Sequence, residues 1–76
     1  MKLNKNTVGV EAVNKALEIL NCFTEKNEAL TVTKIAQLTG DHKSRISRIS
    51  KSLENFGYIR KIKSGEFKIG HSIPRL

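Results

Sequence analysis

The apolar positions of the chain fall into three stretches with helical spacing, followed by two short stretches with a different period. The first stretch predicts a helix that starts at Val10 and ends within residues 25–29. Its apolar face follows the i, i+3, i+4, i+7 pattern of an amphipathic helix. That face consists of Val13, Ala16, Leu17 and Leu20. Because Ala12 and Ile19 widen the stripe, part of it exceeds what a small core needs and is a candidate dimer surface.

The second stretch, "LTVTKIAQLTG", predicts a short helix with a defined start and end. Thr31 is placed to cap the helix, because its hydroxyl can accept a hydrogen bond from a free backbone N–H group. Gly40 is placed to end the helix, because glycine adopts the left-handed conformation common at helix C-termini. The face predicted to be buried consists of Val32, Ile35, Ala36 and Leu38.

The third stretch, "DHKSRISRISKSLENFG", predicts a helix with a narrow apolar face and a broad polar one. The apolar face recurs at i, i+3, i+7 and i+10 and consists of Ile46, Ile49, Leu53 and Phe56. The opposite face and its flanks carry Ser44, Arg45, Ser47, Arg48, Lys51 and Ser52. Asp41 is predicted to cap this helix, and Gly57 to end it.

The last part of the chain predicts a β-hairpin. The segments "YIRKIK" and "EFKI" are rich in strand-forming residues and flank the short turn Ser64-Gly65. Phe67 and Ile69 are expected to face the helices. The lysines expected to be exposed are Lys61, Lys63 and Lys68.

The charge of the chain is concentrated in its second half. The net charge is +7. Residues 1–40 hold five Lys and four Glu, whereas residues 41–76 hold nine Lys or Arg against one Asp and two Glu. A basic half beside a near-neutral half favours a polyanionic partner such as nucleic acid, although charge of this size also serves solubility.

Several classes of protein find no support in the sequence. No apolar run is long enough for a membrane span or a signal peptide, and Cys22 stands alone, so a reducing, cytoplasmic setting is expected. Cys22 and four aromatic residues (Phe23, Phe56, Tyr58 and Phe67) are interpreted as core residues. His42 and His71 lack neighbours at metal-ligand spacing. With no catalytic constellation either, neither an enzyme nor a cofactor or metal site is predicted.

Three helices followed by a two-stranded hairpin, mainly α with a small β-hairpin, form the layout of a winged helix-turn-helix. The chain also resembles the N-terminal DNA-binding domain of the isocitrate lyase regulator (IclR) family of bacterial transcription factors. The matching stretches are "AVNKALEIL", "LTVTKIAQLTG", "KSRISRISKSLENFGYI" and "GEFKIG". On this basis residues 10–70 form the domain, 1–9 a flexible basic arm and 71–76 the start of a linker. The family usually has an apolar residue and then proline after the turn glycine, where this chain has Asp41-His42.

The resemblance implies a transcriptional regulator that binds duplex operator DNA as a dimer. Helix one is the candidate dimer surface. It implies that helix three enters the major groove. The residues thereby placed at the DNA are Lys43, Ser44, Arg45, Ser47, Arg48 and Lys51. The start of helix two (Thr31, Thr33), the hairpin (Lys61, Lys63) and the arm (Lys2, Lys5) are expected to contact phosphates. The family's small-molecule effector binds a larger C-terminal domain, so the chain is expected to be part of a longer protein rather than a minimal stand-alone regulator.

One alternative function keeps the same fold. A winged helix can serve as a protein-interaction or RNA-binding module, which would use a different surface of the domain. Sequence-specific, strongly salt-dependent binding to duplex DNA would distinguish a regulator from such a module.

Overall fold

The computed structural model describes residues 9–71. Only Gly9 of the predicted arm (residues 1–9) and only His71 of the predicted linker (residues 71–76) are among the described residues. Lys2 and Lys5 lie outside them. Three helices and a two-stranded antiparallel sheet follow one another along the chain, which confirms the predicted winged helix-turn-helix. The helices are α1 (Glu11–Asn21), α2 (Val32–Thr39) and α3 (Lys43–Asn55). The strands of the wing are β1 (Ile59–Lys61) and β2 (Phe67–Ile69).

The core lies where the three helices and the wing meet. Ile19 of α1, Ile35 of α2 and Ile46 of α3 are each fully buried. Leu30, which precedes α2, and Ala36 complete this cluster. Together these side chains fix α2 and α3 against α1, so the outer side of α3 is left to solvent.

The predicted helix boundaries hold for α2 and fail for α1. The Thr31 Oγ1 accepts a hydrogen bond from the Lys34 backbone N–H at 3.1 Å, and Gly40 ends α2 in the left-handed conformation at φ 74°. Helix α1 was predicted to reach residues 25–29 but ends at Asn21. A tight turn replaces its last predicted residues, because Thr24 and Asn27 exchange backbone hydrogen bonds at 3.1 and 3.3 Å.

Three predicted core or cap positions are wrong. Leu38 is 47% exposed because it lies at the edge of the buried face of α2, on the side of the helix away from Ala36. Phe56 is 74% exposed because it is the C-cap of α3, where helical periodicity no longer sets the side-chain direction. Asp41 does not cap α3: the N-cap is His42, without a side-chain cap bond, and the Asp41 Oδ1 accepts from the His42 backbone N–H at 2.7 Å.

The wing packs against both the start of α2 and the end of α3. Leu30 and Phe67 exchange two backbone hydrogen bonds at 2.9 and 2.7 Å, which ties the residue before Thr31 to the first residue of β2. Beyond β2, the Gly70 backbone N–H donates to the Tyr58 carbonyl oxygen at 2.8 Å. A Cβ atom on Gly70 would lie 2.3 Å from the Gly57 carbonyl oxygen, so this crossing of two backbones requires glycine.

Candidate nucleic-acid interface

The polar face of α3 is exposed along the length of the helix. Ile46 and Ser50 are fully buried, and Ile49 and Leu53 pack half-buried against the core. Because successive residues of a helix are rotated by 100°, the residues between these anchors point outward. The predicted contact residues found exposed on α3 are Lys43, Ser44, Ser47, Arg48 and Lys51.

The turn before α3 sets the direction in which this face points. The backbone N–H groups of Gly40 and Asp41 both donate to the Ala36 carbonyl oxygen, at 2.8 and 3.2 Å. The Thr39 hydroxyl donates to the Ile35 carbonyl oxygen at 2.9 Å. These bonds satisfy the carbonyl groups of Ile35 and Ala36 and close the end of α2, so that the chain reverses within a few residues. The turn thereby presents the polar face of α3 as a ridge on one side of the domain.

Arg45 and Arg48 lie in different electrostatic settings. Arg45 is half-buried and forms ion pairs with Glu11 of α1 (Nη2 to Oε2, 3.2 Å) and with Asp41 (Nε to Oδ2, 3.7 Å). Arg48 is exposed and has no ion pair with any other residue between 9 and 71. Arg48 can therefore present all its N–H donors to a ligand, while Arg45 shares some of its donors with the protein.

Lysines border the same face. Lys43 and Lys51 are exposed, and the Lys51 Nζ reaches the Glu54 Oε1 at 4.0 Å. Since the Lys51 side chain is 72% exposed, solvent screens this contact and it contributes little. Both ammonium groups are available as point charges for phosphate.

The first residues of α2 form a second group of predicted contacts. Thr31 and Thr33 are both exposed, and α2 starts here with free backbone N–H groups. The Thr31 hydroxyl is engaged as the helix cap, but its proton remains available to an acceptor such as a phosphate oxygen. Because Leu30 pairs with Phe67, this helix start lies directly beside the wing.

The wing carries two exposed lysines, one of which contacts an aromatic ring. The Lys61 Nζ lies 5.5 Å from the centre of the Phe67 ring, at cation–π distance. Lys63 is exposed in the turn. The Ser64 hydroxyl donates to the Glu66 Oε1 at 2.8 Å, so the turn also carries an anchored carboxylate. Lys68, predicted to be exposed, is half-buried.

Sequence reasoning missed a charged cluster at the start of α3. Asp41 accepts from its neighbour His42 and also lies 3.3 Å from the Lys15 Nζ, while Lys15 pairs with Glu18 at 3.0 Å. The signal present in the sequence was the spacing Asp41–Arg45, an i, i+4 pair. Its link to Glu11 and Lys15 depends on the packing of α1 and could not be deduced from spacing.

The cluster favours the charged forms of Asp41 and Lys15. The backbone N–H of His42, with Lys15 and Arg45 nearby, lowers the pKa of Asp41. The hydrogen bond to Glu18, followed by that to Asp41, raises the pKa of Lys15. Outside the cluster, partial burial raises the pKa of the Cys22 thiol, which donates to the Glu18 carbonyl oxygen at 3.4 Å. Cys22 thus fits the packing role predicted for it.

An apolar groove runs between α1 and α3, with a volume of about 700 Å³. Val13 and Leu17 of α1 are 55% and 53% exposed, and Val10 just before the helix is 65% exposed. Val13 and Leu17 belong to the apolar stripe that was expected to exceed the needs of the core. The groove also includes Ile49, Leu53 and the exposed ring of Phe56.

Neither a metal site nor a membrane-spanning helix is found in the part of the chain that the structure describes. No group of three or more His, Cys, Asp or Glu side chains between residues 9 and 71 could hold a metal ion. No helix in the same range is long and apolar enough to cross a membrane.

Comparison with known proteins agrees with the geometry. The family described as the IclR helix-turn-helix domain matches residues 12–63. The chain is 34% identical over 62 residues to the HTH-type transcriptional regulator XynR of Escherichia coli (strain K12), which covers 80% of this chain and 25% of that protein. It is 34% identical over 67 residues to the HTH-type transcriptional regulator KipR of Bacillus subtilis (strain 168), covering 88% of this chain and 25% of that protein.

A solved structure gives the same result for the fold. The crystal structure of an IclR family transcriptional regulator from Brucella abortus superposes with a TM-score of 0.86 at 33% identity, covering 93% of this chain and 28% of that one. The chain thus spans about a quarter of the length of each of these regulators.

Proposed function

Because the chain belongs to the IclR family of helix-turn-helix transcriptional regulators, we propose that it recognises a specific operator sequence through the exposed face of α3. The chain is a DNA-binding domain of a transcriptional regulator and not an enzyme. We propose the operator contacts, the pairing of two domains and a cytoplasmic location. The operator contacts are supported by the ridge of exposed basic and hydroxyl side chains on α3.

The α3 ridge has the chemistry needed to read bases in the major groove. An arginine can donate two hydrogen bonds to the O6 and N7 atoms of guanine, a contact that discriminates by about 1–3 kcal/mol. Arg48 is exposed at the centre of the ridge, and Arg45 lies at its edge towards α1. Ser44 and Ser47 add short hydroxyl donors beside them. We assign base contacts to these side chains and phosphate contacts to Lys43 and Lys51.

Phosphate contacts on both sides of α3 would fix its register in the groove. The start of α2, with Thr31 and Thr33, offers hydroxyls and the positive end of a helix dipole. In the wing, Lys61 and Lys63 are both exposed, and the Lys61 Nζ also lies at cation–π distance from the Phe67 ring. Because contact with the ring restricts the Lys61 side chain, Lys63 is the stronger candidate of the two. These contacts carry no sequence information themselves, but they hold the reading helix in place.

Pairing of two domains through the α1 face would match the two-fold symmetry common in operators. The support for it is the set of apolar side chains that α1 leaves exposed, Val13 and Leu17 above all. Leu17→Glu should abolish a dimer measured by analytical ultracentrifugation, in the presence or absence of DNA. Leu38→Glu is the matched control, because Leu38 is similarly exposed (47%) but lies on α2, outside the groove. We propose that any small-molecule effector acts through a further domain and not through residues 9–71.

The proposal of operator binding is tested by selection from random duplexes. The enriched pool should contain a defined motif, and its affinity should exceed that for unrelated duplex by about 10³-fold or more. Binding should weaken steeply with salt, because Lys and Arg contacts release counterions from DNA. Absence of enrichment, or stronger binding to single-stranded RNA than to any duplex, would contradict the proposal.

The apolar groove favours one alternative, a protein-interaction module. Its exposed Val13 and Leu17 would then meet a different protein, and the α3 ridge would carry no sequence preference. In that case Arg48→Ala should leave the binding of any duplex nearly unchanged. A loss of the selected motif on Arg48→Ala would exclude this alternative.

A further inference from the structure

A cluster of charges joins α1, the turn and the start of α3. It consists of Glu11, Lys15, Glu18, Asp41 and Arg45, here called the Asp41 cluster. Asp41 lies at its centre: Oδ1 accepts from the His42 backbone N–H at 2.7 Å, and Oδ2 lies 3.3 Å from the Lys15 Nζ and 3.7 Å from the Arg45 Nε. The Asp41 side chain is only 12% exposed. Both of its carboxylate oxygens are therefore engaged, and its position is fixed.

Arg45 is held at two points by this cluster. Its Nε faces Asp41, and its Nη2 faces the Glu11 Oε2 at 3.2 Å. A guanidinium group is planar, so contacts at two of its nitrogens restrict the orientation of the whole fork. The donors not used by Glu11 and Asp41 remain for a ligand. An arginine that reads a base must bring such a fork into the plane of that base.

The two carboxylates near Arg45 would weaken the binding of any duplex, because they lie close to the helix that approaches phosphates. Glu11 and Asp41 each place a negative charge beside the Arg45 guanidinium. A feature that lowers overall attraction while fixing one donor suits selectivity better than affinity. Removal of Asp41 should therefore separate these two quantities.

We propose that Asp41 is a positioning residue for DNA recognition, which orients the Arg45 guanidinium for its base contact. The proposal rests on the operator binding proposed above. It assigns Asp41 a role that differs from helix capping, since the cap position belongs to His42. Asp41 itself need not touch the DNA.

The test compares Asp41→Asn with Arg45→Ala and with a charge control. Glu25→Gln changes the net charge by the same amount, and Glu25 is an exposed residue outside the Asp41 cluster. For each variant of the 76-residue chain, Kd is measured for the selected duplex and for a scrambled duplex at several salt concentrations. The ratio of the two Kd values reports specificity, whereas the Kd for the scrambled duplex reports general attraction.

We expect Asp41→Asn to bind scrambled duplex at least as tightly as Glu25→Gln does, yet to lose about 5-fold or more of its specificity ratio. Arg45→Ala should lose about 5- to 150-fold, the equivalent of one base contact. Asp41→Asn combined with Arg45→Ala should be no less specific than Arg45→Ala alone, because both changes remove the same contact. Single-base changes in the operator should show that both variants lose preference at the same base pair.

Two results would overturn the inference: a specificity ratio for Asp41→Asn equal to that of Glu25→Gln, or additive losses in the double variant. Should Asp41→Asn fail to fold, Asp41→Glu decides the question, because it keeps the charge but displaces the carboxylate by one methylene from the Arg45 Nε. Asp41→Glu should also lower the ratio, and a ratio equal to that of the wild type would overturn the inference. A wild-type ratio near one would instead refute operator binding itself.

Discussion

Replacing Ser50 by alanine should make the domain more stable, although Ser50 lies in the middle of α3, the helix proposed to contact DNA. Ser50 is fully buried, and its hydroxyl oxygen has no hydrogen-bond partner. Burial of a polar group without a partner is costly because the group loses its hydrogen bonds to water. The serine therefore opposes folding at a position where alanine would not.

The size of the effect follows from three contributions. Relief of an unsatisfied buried hydroxyl is worth about 1–3 kcal/mol. The higher helix propensity of alanine adds about 0.5 kcal/mol. The void left by the oxygen is smaller than a methyl group and costs less than about 1 kcal/mol. Ser50→Ala should thus raise the free energy of unfolding by about 0.5–3.5 kcal/mol.

Thermal unfolding followed by circular dichroism measures this change directly. For a domain of this size, 1 kcal/mol corresponds to about 4–8 °C in Tm, so an increase of about 2–28 °C is expected. Ser47→Ala is the matched control, because Ser47 is exposed on the same helix and makes the same chemical change. It should gain only the helix-propensity part, about 0.5 kcal/mol.

A lower Tm for Ser50→Ala than for Ser47→Ala would refute the reasoning. Such a result would mean that the Ser50 hydroxyl is bonded in solution, for example to a carbonyl group of the preceding helical turn. The difference between the two variants, rather than either value alone, isolates the effect of burial.

Three further predictions concern the wing, the ridge and the Asp41 cluster. Gly70→Ala should lower the free energy of unfolding by about 1–3 kcal/mol in urea, because its Cβ would lie 2.3 Å from the Gly57 carbonyl oxygen; an unchanged midpoint would contradict it. Arg48→Ala should cost about 1–3 kcal/mol in operator binding, measured by fluorescence anisotropy, and less on scrambled duplex; equal losses on both would reduce Arg48 to a phosphate contact. The lowered pKa of Asp41 means that its ionised form stabilises the fold at neutral pH and that this contribution is lost as the pH falls below about 4. Urea unfolding should show the difference between wild type and Asp41→Asn shrinking below that pH, and a constant difference would contradict this.

The sequence predicted those features that depend on neighbouring residues. The Thr31 cap and the left-handed Gly40 each follow from a local rule of backbone chemistry, and both are present. The order of helices and strands could likewise be deduced from apolar periodicity. Periodicity failed at Phe56, where the helix had already ended. It also could not say which side of the broad α1 stripe would be buried.

The prediction for Asp41 failed for a different reason. Aspartate next to a helix start is a favoured cap, so the local rule pointed to capping. In the structure the carboxylate instead meets Lys15 and Arg45, which only the packing of α1 brings near. The capping preference of aspartate is worth about 1 kcal/mol. The ion pairs with Lys15 and Arg45 determine the position of the carboxylate instead. The same packing places Arg45 beside Glu11 and Asp41. Arg48 is left without an ion pair among the described residues.

The Asp41 cluster also explains how a helix with so little apolar surface is held in place. Helix α3 buries Ile46 completely, but its other apolar anchors, Ile49 and Leu53, are only half-buried. Its first three residues bury no side chain completely: Lys43 and Ser44 are exposed and Arg45 is half-buried. Ion pairs from Asp41 and Glu11 to Arg45 attach this turn to the rest of the fold. Charge thus supplements packing at the start of α3, and the attachment of this helix should therefore respond to salt and acid.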